Sequence, residues 1–415
     1  MNKEINTNEN NFEQCIKCTI CTVYCPVMAV NPDYPGPKQA GPDGERYRLK
    51  DPKFFDEALK YCMNCKRCEV ACPSNVKIGD IIQKARLDYS SKKPGLREFA
   101  LANTDLLGTV ATTMAPIVNG TLKMGVVKSA MHGIIGVDKH RQFPSYSGQK
   151  FTTWFRKNAQ SKQEEYSRFV TYFHGCYANY NYPKLAKDFV KIMNALGYGV
   201  HLMDKEKCCG VALISNGFKK KAAKQAATNL DCIREAVRRG EPVLGTSSTC
   251  AFTIRDEYEH ILGMDNSDVR DSVMLATRFI FKLIDAGKAK LVFRDDYRRR
   301  IAYHTPCHME KLGWSIYSTS LMKMIPGVDF VMMESQCCGI AGTYGFKKEN
   351  YPTSQAIGST LFSKIEELKP DYVVTDCETC KWQIEMSTTV PVKHPISILA
   401  DALDLDRTTD LNRTH

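Results

Sequence analysis

Cys15-Ile-Lys-Cys18-Thr-Ile-Cys21-Thr-Val-Tyr-Cys25-Pro26 and Cys62-Met-Asn-Cys65-Lys-Arg-Cys68-Glu-Val-Ala-Cys72-Pro73 are two copies of one spacing. Three thiolates at two-residue steps lie on one tight loop and can grip three corners of an iron–sulfur cube. The fourth Cys sits past that loop and reaches the other cube, as in chains that carry two such clusters. The spacing therefore assigns Cys15, Cys18, Cys21 and Cys72 to one [4Fe–4S] cluster, and Cys62, Cys65, Cys68 and Cys25 to a second. Structural zinc takes four ligands, commonly as two separated pairs. It has no use for the third Cys of each run or for the Cys-Pro closure.

The rest of the composition agrees with a redox use of thiols. The chain has 415 residues, enough for about three domains. Its 43% apolar content is ample for globular cores. Met1 to Gln14 is polar and lacks the basic and apolar regions of a signal peptide. No export is expected, so the 18 cysteines point to metal or redox chemistry rather than to disulfides. The net charge of +11 is spread along the chain instead of gathered in a block. This argues against nucleic acid and suits an anionic membrane surface or an acidic partner. No apolar run approaches ~18 residues, so no transmembrane helix is expected.

Residues 1–95 read as the cluster domain. Asn31 to Asp51, with four prolines and three glycines, reads as a surface loop. Short helices are expected at Phe54 to Tyr61 and Val76 to Tyr89. Residues 96–165 read as an apolar connector. From Leu106 to Val137 only Lys123 and Lys128 are charged, and Met124, Val127, Met131, Ile134 and Ile135 fall on one side of a helical wheel. The readings are a buried connecting helix, or a helix lying in a membrane interface or on a partner.

From Tyr166 the chain repeats itself. His174-Gly-Cys176 matches His304-Thr-Pro-Cys307, Cys208-Cys209-Gly210 matches Cys337-Cys338-Gly339, and Thr249-Cys250 matches Thr379-Cys380. The repeats span 166–295 and 296–415. Strands are expected at Phe169–His174, Pro242–Thr246, Ile301–His304, Val328–Met332 and Tyr372–Thr375. Helices are expected at Lys184–Leu196, Lys219–Arg239, Met309–Met324 and Ser354–Leu368. The fold class is thus α+β overall: a helical two-cluster domain followed by two duplicated α/β units with parallel sheets.

The second repeat offers Cys307, Cys337, Cys338, Cys377 and Cys380, one thiol more than a cubane or zinc site needs. The first offers Cys176, Cys208, Cys209 and Cys250, because Ser247 stands where Cys377 does. It is a degenerate metal site. Cys232 lies inside an expected helix and reads as a small buried hydrophobe. His174 reads as a core residue satisfied by the backbone. For His304 and His308, metal ligation, proton carriage and a core role stay open. The chain carries no G-x-G-x-x-G and no P-loop.

Two four-cysteine runs followed by two Cys-Cys-Gly repeats resemble the iron–sulfur electron-transfer subunits related to heterodisulfide reductase and glycolate oxidase. The resemblance is closer to the C-subunit family of bacterial anaerobic glycerol-3-phosphate dehydrogenases. It rests on the stretches 31–46, 61–72, 304–311 and 336–350 and covers nearly the whole chain. It implies two flavoprotein partner subunits that oxidise sn-glycerol 3-phosphate, while this chain itself does not act on the substrate. It also implies electron delivery to a quinone, menaquinone, and peripheral attachment at the cytoplasmic face of the inner membrane. Relatives with complete Cys-Cys-Gly motifs hold a non-cubane [4Fe–4S] cluster, which the resemblance implies for Cys307, Cys337, Cys338, Cys377 and Cys380. Two alternatives are a thiol/disulfide redox subunit of the heterodisulfide reductase type and the iron–sulfur subunit of a 2-hydroxy-acid dehydrogenase.

Overall fold

Phe169–Phe173 (β1) and Arg299–Tyr303 (β5) are strands whose inner residues are buried. Around each grows a parallel four-stranded sheet. The first runs β2-β1-β3-β4, with β2 Gly199–Leu202, β3 Val243–Gly245 and β4 Val273–Leu275. The second runs β6-β5-β7-β8, with β6 Val328–Met332, β7 Tyr372–Val374 and β8 Val392–Lys393. The same strand order twice is the duplication in three dimensions. This computed structural model describes residues 11–413 apart from 52, 53, 55, 91 and 92.

The repeats share one core. Val170, Tyr172 and Phe189 of the first belong to the same buried cluster as Ile301, Tyr303 and Ile396 of the second. The final helix, Leu405–Arg413, turns back onto the first repeat, where Asn412 donates to the Ala195 carbonyl at 3.3 Å. Each strand leads through a loop to a helix, so the loops after β1, β3, β5 and β7 gather at one end. These loops and the first turns of the helices that follow them carry Cys176, Cys250, Cys307 and Cys377–Cys380.

Several local expectations change. Residues 39–50 are not a loop. Gln39–Asp43 form a wide π turn that continues into the helix Gly44–Lys50. Pro42 fits inside it, and Ala40, Gly41 and Pro42 are buried, with Gly41 against Ile78 of the helix Ile78–Tyr89. A π turn tolerates Pro because its hydrogen-bond ladder is already interrupted. Met309–Met324 is two helices, Cys307–Leu312 and Ser315–Lys323, broken at Gly313 with φ +68°. At 54–61 the helix is one short 3₁₀ stretch, Glu57–Tyr61, capped by the Asp56 side chain, and residue 55 lies outside the described residues.

The connector is not one helix either. It breaks into Thr104–Thr113, Ala115–Lys123, Gly125–Ala130 and a π turn at Met131–Ile135. Its apolar side chains divide: Met131 and Ile135 pack inward against the second repeat, whereas Val126 (78% exposed) and Ile134 (82% exposed) face out. No helix among the described residues is long and apolar enough to cross a membrane.

A buried polar junction joins the three parts. Lys66, fully buried, pairs with Asp80 and lies 3.6 Å from Glu69, which in turn meets Lys311 of the second repeat at 3.0 Å. Asn64 donates to Glu257 of the first repeat at 2.9 Å. Burial pushes the Glu257 carboxyl from 4.5 up to about 6, against the pull of Lys66. A raised carboxyl favours the folded state while it is protonated, so this contribution is lost as pH rises from 4.5 through 6. Glu257→Gln is expected to flatten that part of the stability profile and to raise stability above it by up to about 2 kcal/mol. Denaturant midpoints against pH under anaerobic conditions check this; a slope that persists in the variant refutes it.

Candidate metal centres

Both cysteine runs fold into the same loop. The residues on either side of the middle Cys have left-handed backbone: Lys17 and Thr19 in the first run, Asn64 and Lys66 in the second. Such φ values are uncommon outside glycine, and for β-branched Thr19 they are an outlier. The two left-handed residues turn three thiols toward one point, a strain that a bound group can offset.

The fourth cysteines cross over. Burial pushes the Cys21 thiol up, and neighbouring Cys15, Cys72 and Cys18 push it the same way. Burial likewise pushes Cys25 up to about 12, with Cys65 and Cys62 as its thiol neighbours. Cys72 therefore stands with the first run and Cys25 with the second. Cys18 is exposed, whereas Cys68 is buried, so the first group lies nearer the surface. Backbone N–H groups aim at sulfur at 3.4 Å: Asn64 at Cys62, and Val76 at Cys72. N–H donors of this kind favour the thiolate, the form that binds metal.

The second run abuts the second repeat. Cys65 and Cys337 are both neighbours of Cys307, packed in the same cluster and lining the same cavity. Arg67 lies among these thiols, its guanidinium donating to the Ser335 carbonyl at 3.0 Å and standing 3.4 Å from Glu310.

In the second repeat the five thiols converge. Cys338 and Cys380 sulfurs are 3.4 Å apart. Hydrogen bonds from Cys380, Thr379 and Thr249 bring Cys377 down to about 6 despite its burial. Gly339 has φ +86°, and a Cβ there would stand 2.0 Å from the Ser354 carbonyl oxygen. Only glycine lets the Cys-Cys pair turn this close to the helix Tyr351–Leu368.

The first repeat places Cys208 and Cys176 sulfurs 3.8 Å apart, and Cys209 beside Cys250. Ser247 has another task. Its hydroxyl accepts from the Cys250 N–H at 3.2 Å, capping the helix Ser248–Phe252, and donates to Glu378 at 3.0 Å. Burial, with Cys377 alongside, pushes Glu378 from 4.5 up to about 8. The two loops also join directly, since Ser248 donates to the Asp376 carbonyl through both its N–H and its hydroxyl.

As a result the thiols of both repeats line one cavity of about 350 Å³. Its other wall is hydrocarbon: Leu101, Leu107, Leu122, Met131, Ile135 and Phe143. The described residues fit metal–sulfur groups. Thiols converge in sets, N–H donors aim at sulfur, and both ring nitrogens of wholly buried His304 lack a partner beside Cys338 and Cys380.

The remaining candidates are structural. His174 is satisfied by the Gly175 carbonyl at 2.9 Å and by Glu206. His308 is half-buried, stacked on Phe252 and in contact with the Asn64 backbone. Cys232 is buried in the helix Lys219–Arg238. Sequence reasoning missed Arg67, Glu378 and Asp105, whose carboxylate accepts the Cys208 N–H at 2.8 Å. Arg67 and Glu378 lie between motif cysteines in the sequence, but only the fold shows what each touches, and nothing in the sequence marks Asp105.

Residues 11–76 match the 4Fe-4S dicluster domain family, and residues 170–255 and 301–385 each match the cysteine-rich domain family. The chain is 57% identical over 397 residues to the C subunit of anaerobic glycerol-3-phosphate dehydrogenase of Escherichia coli (strain K12), covering 95% of this chain and 100% of that one. It is 24% identical over 406 residues to the glycolate oxidase iron–sulfur subunit of the same organism, covering 94% of each. To the B subunit of fumarate reductase (CoM/CoB) of Methanothermobacter marburgensis it is 24% identical over 395 residues, covering 90% of this chain and 67% of that one.

Proposed function

Because the chain belongs to the C-subunit family of anaerobic glycerol-3-phosphate dehydrogenases, an iron–sulfur electron-transfer family, we propose that it carries electrons from flavoprotein partners to a membrane quinone. Two partner subunits remove two electrons from glycerol 3-phosphate. Iron–sulfur groups supply one-electron steps when bound. Cys15, Cys18, Cys21 and Cys72 hold the group nearer the surface, where a donor can approach. Cys62, Cys65, Cys68 and Cys25 hold the inner one. Cys307, Cys337, Cys338, Cys377 and Cys380 hold a third, non-cubane group, and Cys176, Cys208, Cys209 and Cys250 remain a degenerate site.

The observation that carries this reading is the closeness of Cys65 to Cys307. A group held by Cys62, Cys65, Cys68 and Cys25 would lie next to the thiols of the second repeat. Two further features support a quinone acceptor. The cavity beyond those thiols is walled by hydrocarbon, and Leu106, Val110, Ile117, Val126 and Ile134 are exposed on the connector that supplies part of this wall. An exposed apolar patch of this kind suits the headgroup boundary of the inner membrane on its cytoplasmic side. The quinone takes two electrons by this route and two protons from water.

The test is anaerobic purification of the tagged chain with its partners. Two flavoproteins should co-purify, glycerol 3-phosphate should reduce the clusters as read by electron paramagnetic resonance, and vesicles loaded with menaquinone should reoxidise them. Clusters that stay oxidised refute the donor; clusters that stay reduced with the vesicles refute the acceptor.

A further inference from the structure

We propose that a ring nitrogen of His304 is a direct partner of the metal group held by Cys307, Cys337, Cys338, Cys377 and Cys380, the sixth protein contact of that centre. The inference rests on the ligand reading of those five thiols and adds a group of different chemistry to it.

His304 ends the β5 segment, where its backbone N–H donates to the Val374 carbonyl at 2.9 Å. That bond fixes where the side chain starts. The ring is 0% exposed, and neither of its nitrogens has a hydrogen-bond partner among the described residues. In either neutral tautomer an imidazole presents one N–H and one lone pair. Both are left unsatisfied, although buried polar side-chain atoms nearly always find a partner. What faces the ring is sulfur. A nitrogen of His304 and the sulfurs of Cys338 and Cys380 lie within 4.8 Å of one another, and all three residues are buried. The missing partner is thus best supplied by the group those sulfurs hold.

The duplication provides an internal comparison. His174 occupies the matching position after β1, but its ring is engaged: Nδ1 lies 2.9 Å from the Gly175 carbonyl and 3.1 Å from Glu206. Glu206 stands two residues before Cys208. Two residues before Cys337 the chain has Ser335, whose hydroxyl and carbonyl are taken by Arg67. The second repeat therefore lacks the carboxylate that turns the first histidine away. The repeat that is short of a thiol, at Ser247, has its histidine paired to protein. The repeat with all five thiols has its histidine free and aimed at them. Both differences fall on the side expected if the histidine serves the metal group.

An N–H donated to a cluster sulfur withdraws electron density from it, and a neutral nitrogen ligand to iron does so more strongly. Either contact raises the reduction potential, as histidine in place of cysteine does in iron–sulfur centres. Placing such a group at the last thiol set before the acceptor would favour electron flow toward it.

The test uses the full chain, purified anaerobically with its clusters, and pulsed electron paramagnetic resonance on protein labelled with ¹⁵N-histidine. The signal assigned to the second repeat, recognised by its loss in Cys380→Ser, should show nitrogen coupling that changes with the label. Strong coupling identifies a bond to iron and weak coupling an N–H to sulfur, and both support the proposal. His304→Leu should remove the coupling and shift the midpoint potential to more negative values. His304→Gln, which retains an N–H, should shift it less, and His174→Gln should leave signal and potential unchanged. A second-repeat signal with no histidine coupling in the wild-type chain overturns the role of His304 while leaving the five-thiol reading standing. Absence of any signal sensitive to Cys380→Ser overturns both. The labelled wild-type measurement needs no variant, so it decides even if His304→Leu fails to assemble.

Discussion

Cys72→Ala is expected to abolish the cluster of the first cysteine run, although Cys72 lies in the second. Cys72 stands beside Cys15, Cys18 and Cys21 in the folded chain, whereas Cys25 stands beside Cys62 and Cys65. In the proposed assignment each run supplies three ligands to its own group and one to its neighbour's, so Cys72→Ala removes the ligand contributed by the other run. The iron bound by the N-terminal domain should fall from about eight atoms to about four. The remaining signal should be that of the inner group, and Cys25→Ala should give the reverse pattern. Electron delivery from the partners should fall to background in Cys72→Ala, because the group nearer the surface is the one lost. Iron analysis with electron paramagnetic resonance decides the matter. If Cys72→Ala removed the inner signal and kept the outer one, the crossed assignment would be wrong.

Lys66→Met should be among the most destabilising single changes in the chain. Lys66 is fully buried between Asp80 and Glu69, and burial of its charge is overcome by these carboxylates and Glu257, which hold its pKa well above the usual lysine range. Removing it leaves the buried Asp80 and Glu257 without this cation, and Glu69 with half-buried Lys311 at 3.0 Å. Breaking a buried pair from one side costs about 3–5 kcal/mol. The loss should appear as a lower denaturant midpoint in the anaerobic holoprotein. Since the junction joins the N-terminal domain to both repeats, hydrogen exchange should rise at Asn64, Glu257 and Lys311 together. A loss below about 1 kcal/mol would mean that water reaches the junction and screens it.

How legible these features were in the sequence depends on their range. The four-cysteine runs and the Cys-Cys-Gly pairs are local spacings, and the chain folds them as the spacing implies. The long strands β1, β5 and β6 lie within a residue or two of where their apolar runs placed them. The short strands β4 and β8, three and two residues long, carry no readable periodicity and exist because a neighbour pairs with them. Pro42 and Gly41 read as loop residues, yet they sit in a helical segment because Ile78 and Ile82 pack against it. The connector's stripe was visible on a helical wheel, but the extended backbone at Met124 starts a new helix there, and within the π turn Met131–Ile135 Met131 and Ile135 pack against the second repeat while Ile134 faces solvent.

The opening cysteine runs, then, determined by themselves that this chain holds paired iron–sulfur clusters. A thiol's ligand chemistry and a three-residue step are properties of the chain alone. The duplication was equally plain, because matching residues need no fold to be compared. Only the tertiary structure decided that Cys65 lies near Cys307, that both repeats face one apolar cavity, and that His304 has no protein partner among the described residues where His174 has Glu206. These are relations between residues tens to hundreds of positions apart. Packing and burial set them, and no local spacing records them.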